Sequence, residues 1–435
     1  MSGEPPHGGA VDGNDPDTSF SDGIALSVSA ALSAVAGMVS WIIAARLTDR
    51  ATVGEVSAFV SAFLLVAGLT EFNLGVAILR WVPHAGKRTA TVVVRCLVVA
   101  CGACLVAAPI YLLVPGSGVI LSAAGGGVVA AVLFVLATAG WGALHLSDFA
   151  FVALRRPWWA VVRNLVLGAG RIAAMLVLGA GVSAPALVLA WAGPVVAIAV
   201  LSGAAVVVLA ARRGRNARAA RLPGRREVLG FLGPTWIGTL GQTVLYAQVP
   251  LVVTFRFGPE TGGGFFIVWQ AITVVDVVAT YFVSSLAGSV ARDPARARVL
   301  SRTALRRLLL LFLPALAIGA LLATPLLAVF GPAYTDQAGA LRVLLAAAAV
   351  RLVTLHMLGV RQAIGDAVGF ARPHVAVAAA MITVLVVVPT GTADVAGVLA
   401  WAVLAVQAAT ALVLLATQRS RTVAAFHRAE QAAGG

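Results

Sequence analysis

ARRGRNARAARLPGRR, residues 211–226, carries seven arginines and no acidic residue, and it stands close to the midpoint of a 435-residue chain. On either side lie long apolar segments, about six per side, each near the roughly 20 residues that a helix needs to cross a bilayer. A stretch this basic does not cross, and Lys and Arg concentrate in cytoplasmic loops, so it belongs on the cytoplasmic face. Two six-span lobes joined by a basic loop suggest a transporter rather than an enzyme. The expected fold class is an all-α polytopic membrane protein of about 12 transmembrane helices, in two six-helix lobes related by a parallel repeat.

Composition supports this reading. Hydrophobic residues make up 60% of the chain and charged residues 11%, and the mean hydropathy is +0.98. A water-soluble protein with so little charge would expose too much apolar surface. The net charge of +14 does not point to nucleic acid, because the basic residues sit in short loops between apolar runs, with no recognition fold and no interleaved aromatics. Every basic residue except Lys87 is arginine. Cys96, Cys101 and Cys104 share one apolar run with no His or acid to complete a metal or redox site, and read as small packing residues.

The apolar segments fall at 23–45, 53–79, 89–114, 118–144, 159–178 and 185–210, then at 228–253, 264–288, 308–330, 339–359, a shorter 375–388, and 395–416. Alternate loops carry the charge. One set holds Lys87 and Arg88, Arg155 and Arg156, the central arginines, Arg292 to Arg307, and Arg361 with Arg372. The other set (VPGSG, GAGVSAP, PTGTAD) has no basic residue. Arg46, Arg50, Arg256 and Arg342 are the exceptions. An even number of spans with both termini cytoplasmic satisfies the pattern. The domains expected are a disordered tail over 1–21, which is acidic, proline-containing and unlike a secretory signal; an N-lobe over 22–211; the basic loop over 212–227; a C-lobe over 228–417; and a basic tail over 418–435.

The halves echo one another. Leu189-Ala190-Trp191 recurs as Leu399-Ala400-Trp401, Arg156-Pro157 as Arg372-Pro373, Leu144-His145-Leu146 as Leu355-His356-Met357, and Arg46 as Arg256, at offsets of 210 to 216 residues. An even number of spans per repeat keeps both halves in one orientation, with their axis along the membrane normal.

No H-E-x-x-H, Walker A or G-x-S-x-G sequence is present, and no loop is long enough to hold a nucleotide or sugar donor. Ionisable residues within the spans are the informative feature, because a charge at mid-bilayer costs about 3 kcal/mol or more unless it faces protein or water. These are Glu71, Arg80, Arg171, Asp276 and Arg351. Arg171 is about 12 residues into its span, roughly 18 Å deep. The structural alternative for Asp276 and Arg171 is a buried ion pair that only fixes packing. Glu71 lies in Thr70-Glu71-Phe72-Asn73-Leu74-Gly75, a polar interruption of the kind tolerated at membrane depth beside a cavity. Pro234, Pro314 and Pro325 are candidate kinks. Gly262-Gly263-Gly264 reads as a turn leading into a tightly packed helix start.

Trp41-Ile42-Ile43-Ala44-Ala45-Arg46, a short loop, Val53-Gly54-Glu55 and an apolar run ending Leu74-Gly75-Val76-Ala77-Ile78-Leu79-Arg80 resemble the first hairpin of lipid-linked oligosaccharide flippases. Those flippases belong to the superfamily that includes multidrug/toxin extruders and the lipid II flippase. Phe330-Gly331-Pro332-Ala333-Tyr334, followed by Ala340-Leu341-Arg342, resembles the same family's ninth-to-tenth junction, and the likeness extends over 21–417. Gln248 departs from the family, which often carries an acid there.

The resemblance implies a non-enzymatic transporter of the bacterial plasma membrane, with a central cavity lined by spans 1, 2, 7 and 8. Its cargo would be a polyprenyl-pyrophosphate-linked glycan flipped to the outer leaflet for surface polysaccharide assembly. Implied partners are membrane lipid, a polysaccharide polymerase and glycosyltransferases, with no nucleic acid and no cofactor; Na+ or H+ are the candidate coupling ions. Arg46, Arg80 and Arg256 are then the cavity-lining cations for an anionic headgroup, joined on grounds of depth by Arg171 and Arg351. Glu71 and Asp276 are the coupling or ion-pair carboxylates. A cation-coupled multidrug exporter of the same architecture is the alternative, and it would want acids where this chain has arginines. A membrane-embedded glycosyltransferase or polymerase would need a catalytic outer loop.

The topology is testable with single cysteines in a variant lacking the native three. A cysteine at residue 220 is expected to resist an impermeant reagent applied to intact cells and to react once the membrane is opened; labelling from outside contradicts the assignment.

Overall fold

The computed structural model describes residues 16–215, 222, 224–292, 297–363 and 366–433. In the first half the helices are α1 (Pro16–Leu47), α2 (Arg50–Thr70), α3 (Leu74–Trp81), α4 (Thr89–Tyr111), α5 (Gly118–Ala123), α6 (Gly127–Ala153), α7 (Pro157–Leu178) and α8 (Ala184–Arg215). In the second they are α9 (Arg225–Thr243), α10 (Val249–Phe257), α11 (Pro259–Arg292), α12 (Ala297–Leu321), α13 (Ala323–Ala328), α14 (Ala338–Ala363), α15 (Ala367–Val387) and α16 (Val395–Ala433). Among the described residues, ten helices are long and apolar enough to cross a membrane. Two expected spans fall outside that count. In α1 the apolar part counted is Leu32–Leu47. The seventh is divided into α9, a π-helical turn at Val244–Gln248, and α10.

The halves are built alike. In each, the first span packs along the fifth (α1 on α7, α9 on α15), the third along the fourth (α4 on α6, α12 on α14), and the fourth along the sixth (α6 on α8, α14 on α16). The seam between halves is made chiefly by α2 against α10 and α11. α2 is buried on nearly every face, whereas α4 and α12 turn Val98, Leu105, Val106, Leu310 and Leu311 outward. Apolar residues exposed in such a belt have lipid as their natural neighbour. Not every landmark is alike: Trp191 is 5% exposed and Trp401 62%.

Several expected boundaries move. Residues 16–21, expected in the tail, open α1, because a proline fits the first helical position and Asp17 favours the helix N-terminus. Residues 1–15 lie outside the described residues. The basic loop is shorter than 212–227. Arg212, Arg213 and Arg215 form the last turn of α8, where cations suit the helix dipole, and Arg225 begins α9; residues 216–221 and 223 are outside the described set. The expected tail from 418 continues α16 to Ala433, as its run of Ala, Arg, Glu and Gln favours.

Nor is the eleventh span short. α15 begins at Ala367 and contains Arg372 and Pro373. Proline supplies no N–H to the carbonyl four residues back. Arg361 meets that need, its Nη1 donating to Gly369 O at 2.8 Å. In the seventh span the irregular turn precedes Pro250, and Pro234 lies within the uninterrupted α9.

The interruption at 71–73 is real. Phe72 and Asn73 both take positive φ, 51° and 58°, which ends α2 before α3 starts. The carbonyl of Leu69, just before the break, is taken by Trp236 Nε1 of α9 at 3.1 Å, and Phe72 packs on the same indole with centroids 5.4 Å apart.

At the opposite end of α2 the two halves meet backbone to backbone. A Cβ on Gly54 would lie 1.8 Å from Pro259 O, and one on Gly263 would lie 2.1 Å from Arg50 O. The glycine run 262–264 is therefore a close-packed helix start, as expected; small residues let membrane helices approach this closely. Gly54→Leu is expected to abolish the folded, monodisperse protein recovered from membranes, since backbone cannot yield as a side chain can. Gly102→Leu on α4, with nothing within 4 Å, is expected to leave that yield unchanged.

Candidate functional site

Four groups of polar residues lie within the bundle. The first closes the seam where α1 gives way to α2. Arg46, in the last turn of α1, donates from Nε to Val329 O at 2.8 Å and from Nη2 to Ala328 O at 2.6 Å. It thereby caps carbonyls at the end of α13. Arg50 donates from Nη1 to Asp336 Oδ2 at 2.9 Å and to Ala333 O at 3.1 Å. Both arginines tie the first half to the second. Arg256, the counterpart of Arg46, similarly donates to Leu385 O near the end of α15.

The second group threads the first half. Arg163, 8% exposed, donates to Leu144 O, to Ser147 Oγ at 3.0 Å, to Asp148 Oδ1 at 2.7 Å and to Asn164 Oδ1 at 2.6 Å. Asn164 passes the chain to Ser29 Oγ of α1 at 2.6 Å. Three residues before Asp148, half-exposed His145 holds Nε2 3.7 Å from Glu71 Oε2 at the break after α2. Glu71 thus lies beside a histidine rather than an arginine.

The third group is a stacked pair in the same half. Arg171 is 5% exposed, with its guanidinium carbon 3.4 Å from the centre of the Trp191 ring. Trp191 packs on Trp41 at 5.1 Å, and Trp41 on Phe266 of the second half at 4.5 Å. Nε and Nη2 of Arg171 have no hydrogen-bond partner among the described residues. A desolvated cation over an indole gains about 2 kcal/mol, against several kcal/mol for removing the charge from water, so stacking alone leaves this cation under-compensated.

The fourth group lines a cavity in the second half. Asp276 of α11 and Arg351 of α14, each 8% exposed, form a two-point pair: Nε donates to Oδ1, and Nη2 to Oδ2 at 3.2 Å. Leu245, Trp269, Met381 and Gln407 are among the other residues of its wall, which encloses about 30 Å³ of water-accessible space, enough for one or two waters. Gln407 Oε1 is buried without a partner among the described residues. This cavity lies inside the second half: of the expected lining spans 1, 2, 7 and 8, spans 7 and 8 contribute to it, together with α14, α15 and α16, and spans 1 and 2 do not. Gln248 sits at the end of the π-turn and accepts a hydrogen bond from Tyr111 of α4 at 3.3 Å, so the position marked for an acid carries a neutral acceptor tied to the other half.

The structure therefore brings together Asp276 and Arg351 and sends the other expected cations to different places. Arg46 and Arg256 cap helix ends, Arg171 stacks on Trp191, and Arg80 lies exposed in the last turn of α3. Sequence reasoning passed over Arg163, Asp148 and Arg50. The i, i+15 spacing of Asp148 and Arg163 across one loop was a usable signal for the first two. Asp276→Ala is expected to cost about 3–5 kcal/mol by stranding the Arg351 charge, and Asp276→Leu with Arg351→Met is expected to recover the loss. Membrane-inserted abundance and thermal unfolding of the three proteins check this.

No protein-family model and no curated protein sequence matches the chain. Solved structures do match its fold. A multidrug resistance MATE family transporter of the MOP superfamily, in its inward-facing conformation, superposes with a TM-score of 0.62 at 15% identity, over 92% of this chain and 98% of that one. The outward-facing conformation of such a transporter gives 0.60 at 15%, over 94% and 96%. A MOP superfamily transporter from Pyrococcus furiosus, described as having a binding pocket of reverse polarity that suggests a different function, gives 0.61 at 15%, over 94% and 96%. The chain shares the all-α fold of these transporters across nearly its whole length.

Proposed function

We propose that this chain is an alternating-access transporter of the MOP superfamily, with twelve spans in two six-helix lobes related about the membrane normal and both termini cytoplasmic. It moves a polyprenyl-pyrophosphate-linked oligosaccharide from the cytoplasmic to the outer leaflet of a bacterial plasma membrane. The observation that carries transport is the fold likeness to transporters solved in both inward- and outward-facing forms. In this orientation the Arg46 and Arg50 contacts close the outer side. An anionic cargo is supported by the surplus of arginines over acids within the spans, and by Arg171, a buried cation with an unfilled hydrogen-bonding edge. Arginine suits phosphate oxygens through paired charge-assisted bonds.

A cation-coupled drug exporter is the second reading. It is favoured by the matches to multidrug transporters and by the carboxylates of Glu71 and Asp276, which then serve a coupling ion. Surface polysaccharide per unit of membrane-inserted protein separates the two. Arg171→Ala and Arg80→Ala are each expected to lower export by about tenfold or more at unchanged abundance, the effect of losing one charged hydrogen bond of roughly 1.5–3 kcal/mol. Normal export by both variants, with altered drug resistance, establishes the second reading instead.

A further inference from the structure

Two deeply buried arginines use the same edge of the guanidinium differently. In the second half, Nε and Nη2 of Arg351 donate to the two oxygens of Asp276. That edge is a side-on fork matched to two oxygens on one centre. In the first half, Nε and Nη2 of Arg171, the same edge, are fully buried and have no partner among the described residues. The Trp191 ring covers the face of the guanidinium and leaves this edge unanswered. Trp191, also 5% exposed, has its own Nε1 buried without a partner. Three buried donor nitrogens of one stacked pair therefore lack an acceptor among the described residues. An arginine does not lose its proton in a protein, so this charge calls for an anion.

We propose that the Arg171 fork, with Trp191 Nε1 beside it, is a binding site for an oxyanion that the chain does not itself supply: a carboxylate or phosphate offering two oxygens on one centre. The ligand takes the place that Asp276 takes on Arg351. Because Trp191 packs against Trp41, and Trp41 edge-on against Phe266 across the seam, filling the site braces the contact between the halves. The inference rests on the anionic cargo proposed above, which Arg171 also serves, and deepens it by naming the group bound; a free oxyanion and a lipid headgroup present the same oxygens, and the titration below separates them.

Full-length protein in phosphatidylcholine nanodiscs, at fixed ionic strength, is titrated with inorganic pyrophosphate, with geranyl pyrophosphate and with chloride while its unfolding temperature is followed. A saturable rise is expected with a pyrophosphate and not with chloride. It should be absent in Arg171→Gln, have a half-saturation roughly tenfold weaker in Arg171→Lys, which keeps the charge without the fork, and be unchanged in Arg95→Gln, an exposed arginine of α4. A response to both pyrophosphates supports the site and shows that a free oxyanion suffices. A response to geranyl pyrophosphate alone supports it and assigns the ligand to a lipid headgroup. No saturable rise in the wild type, a rise equal with chloride, or a rise that survives in Arg171→Lys undiminished overturns the proposal. The wild-type titration and Arg171→Lys keep the test decisive if Arg171→Gln does not fold.

Discussion

Within an apolar belt there is no water to take up a backbone carbonyl that a helix leaves free, and each such group costs several kcal/mol. That constraint governs how this chain uses its arginines. Where α2 breaks, Leu69 O receives Trp236. Where Pro373 interrupts the ladder of α15, Gly369 O receives Arg361. The ends of α13, α15 and α6 receive Arg46, Arg256 and Arg213. Most of these donors come from helices distant in sequence, so the irregularities of one helix are what fasten it to another.

Residues that composition alone would enlist for an anionic ligand are thus largely committed to structure. Arg171 is the exception among those with described partners. The seam it borders combines two very different contacts. The glycine surfaces of α2 and α11 fit closely and leave little latitude. The Arg50–Asp336 pair, whose carboxylate side is 57% exposed, contributes about 0.2–1 kcal/mol at most.

Much of the architecture was legible in the sequence because a bilayer imposes it: apolar runs of spanning length, arginines in alternate loops, and the polar interruption at 70–75. Asp276 was legible as a charge in need of a partner. Its partner was not, because Arg351 is 75 residues away and only packing of α11 on α14 brings the two together. The capping roles of Arg46 and Arg256 were hidden for the same reason, with acceptors 283 and 129 residues distant. The length of α15 was misjudged because Arg-Pro reads locally as a boundary, whereas Arg361, at the end of the preceding helix, takes the freed carbonyl of Gly369 and makes that proline acceptable inside a helix. In the seventh span Pro234 drew attention while the ladder changes ahead of Pro250, and local sequence does not separate a proline within a regular helix from one that follows a π-turn.

The central claim is that a fold shared with drug transporters here moves an anionic lipid-linked glycan. Purified protein in proteoliposomes, loaded on one leaflet with a fluorescent polyprenyl-pyrophosphate oligosaccharide, tests it most directly through the rate at which the label becomes accessible to a quencher on the other side. The account predicts protein-dependent flipping that falls in Arg171→Ala and no uptake of a cationic dye under the same conditions. Dye transport driven by a Na+ or proton gradient, with the glycolipid left in its original leaflet, would contradict it.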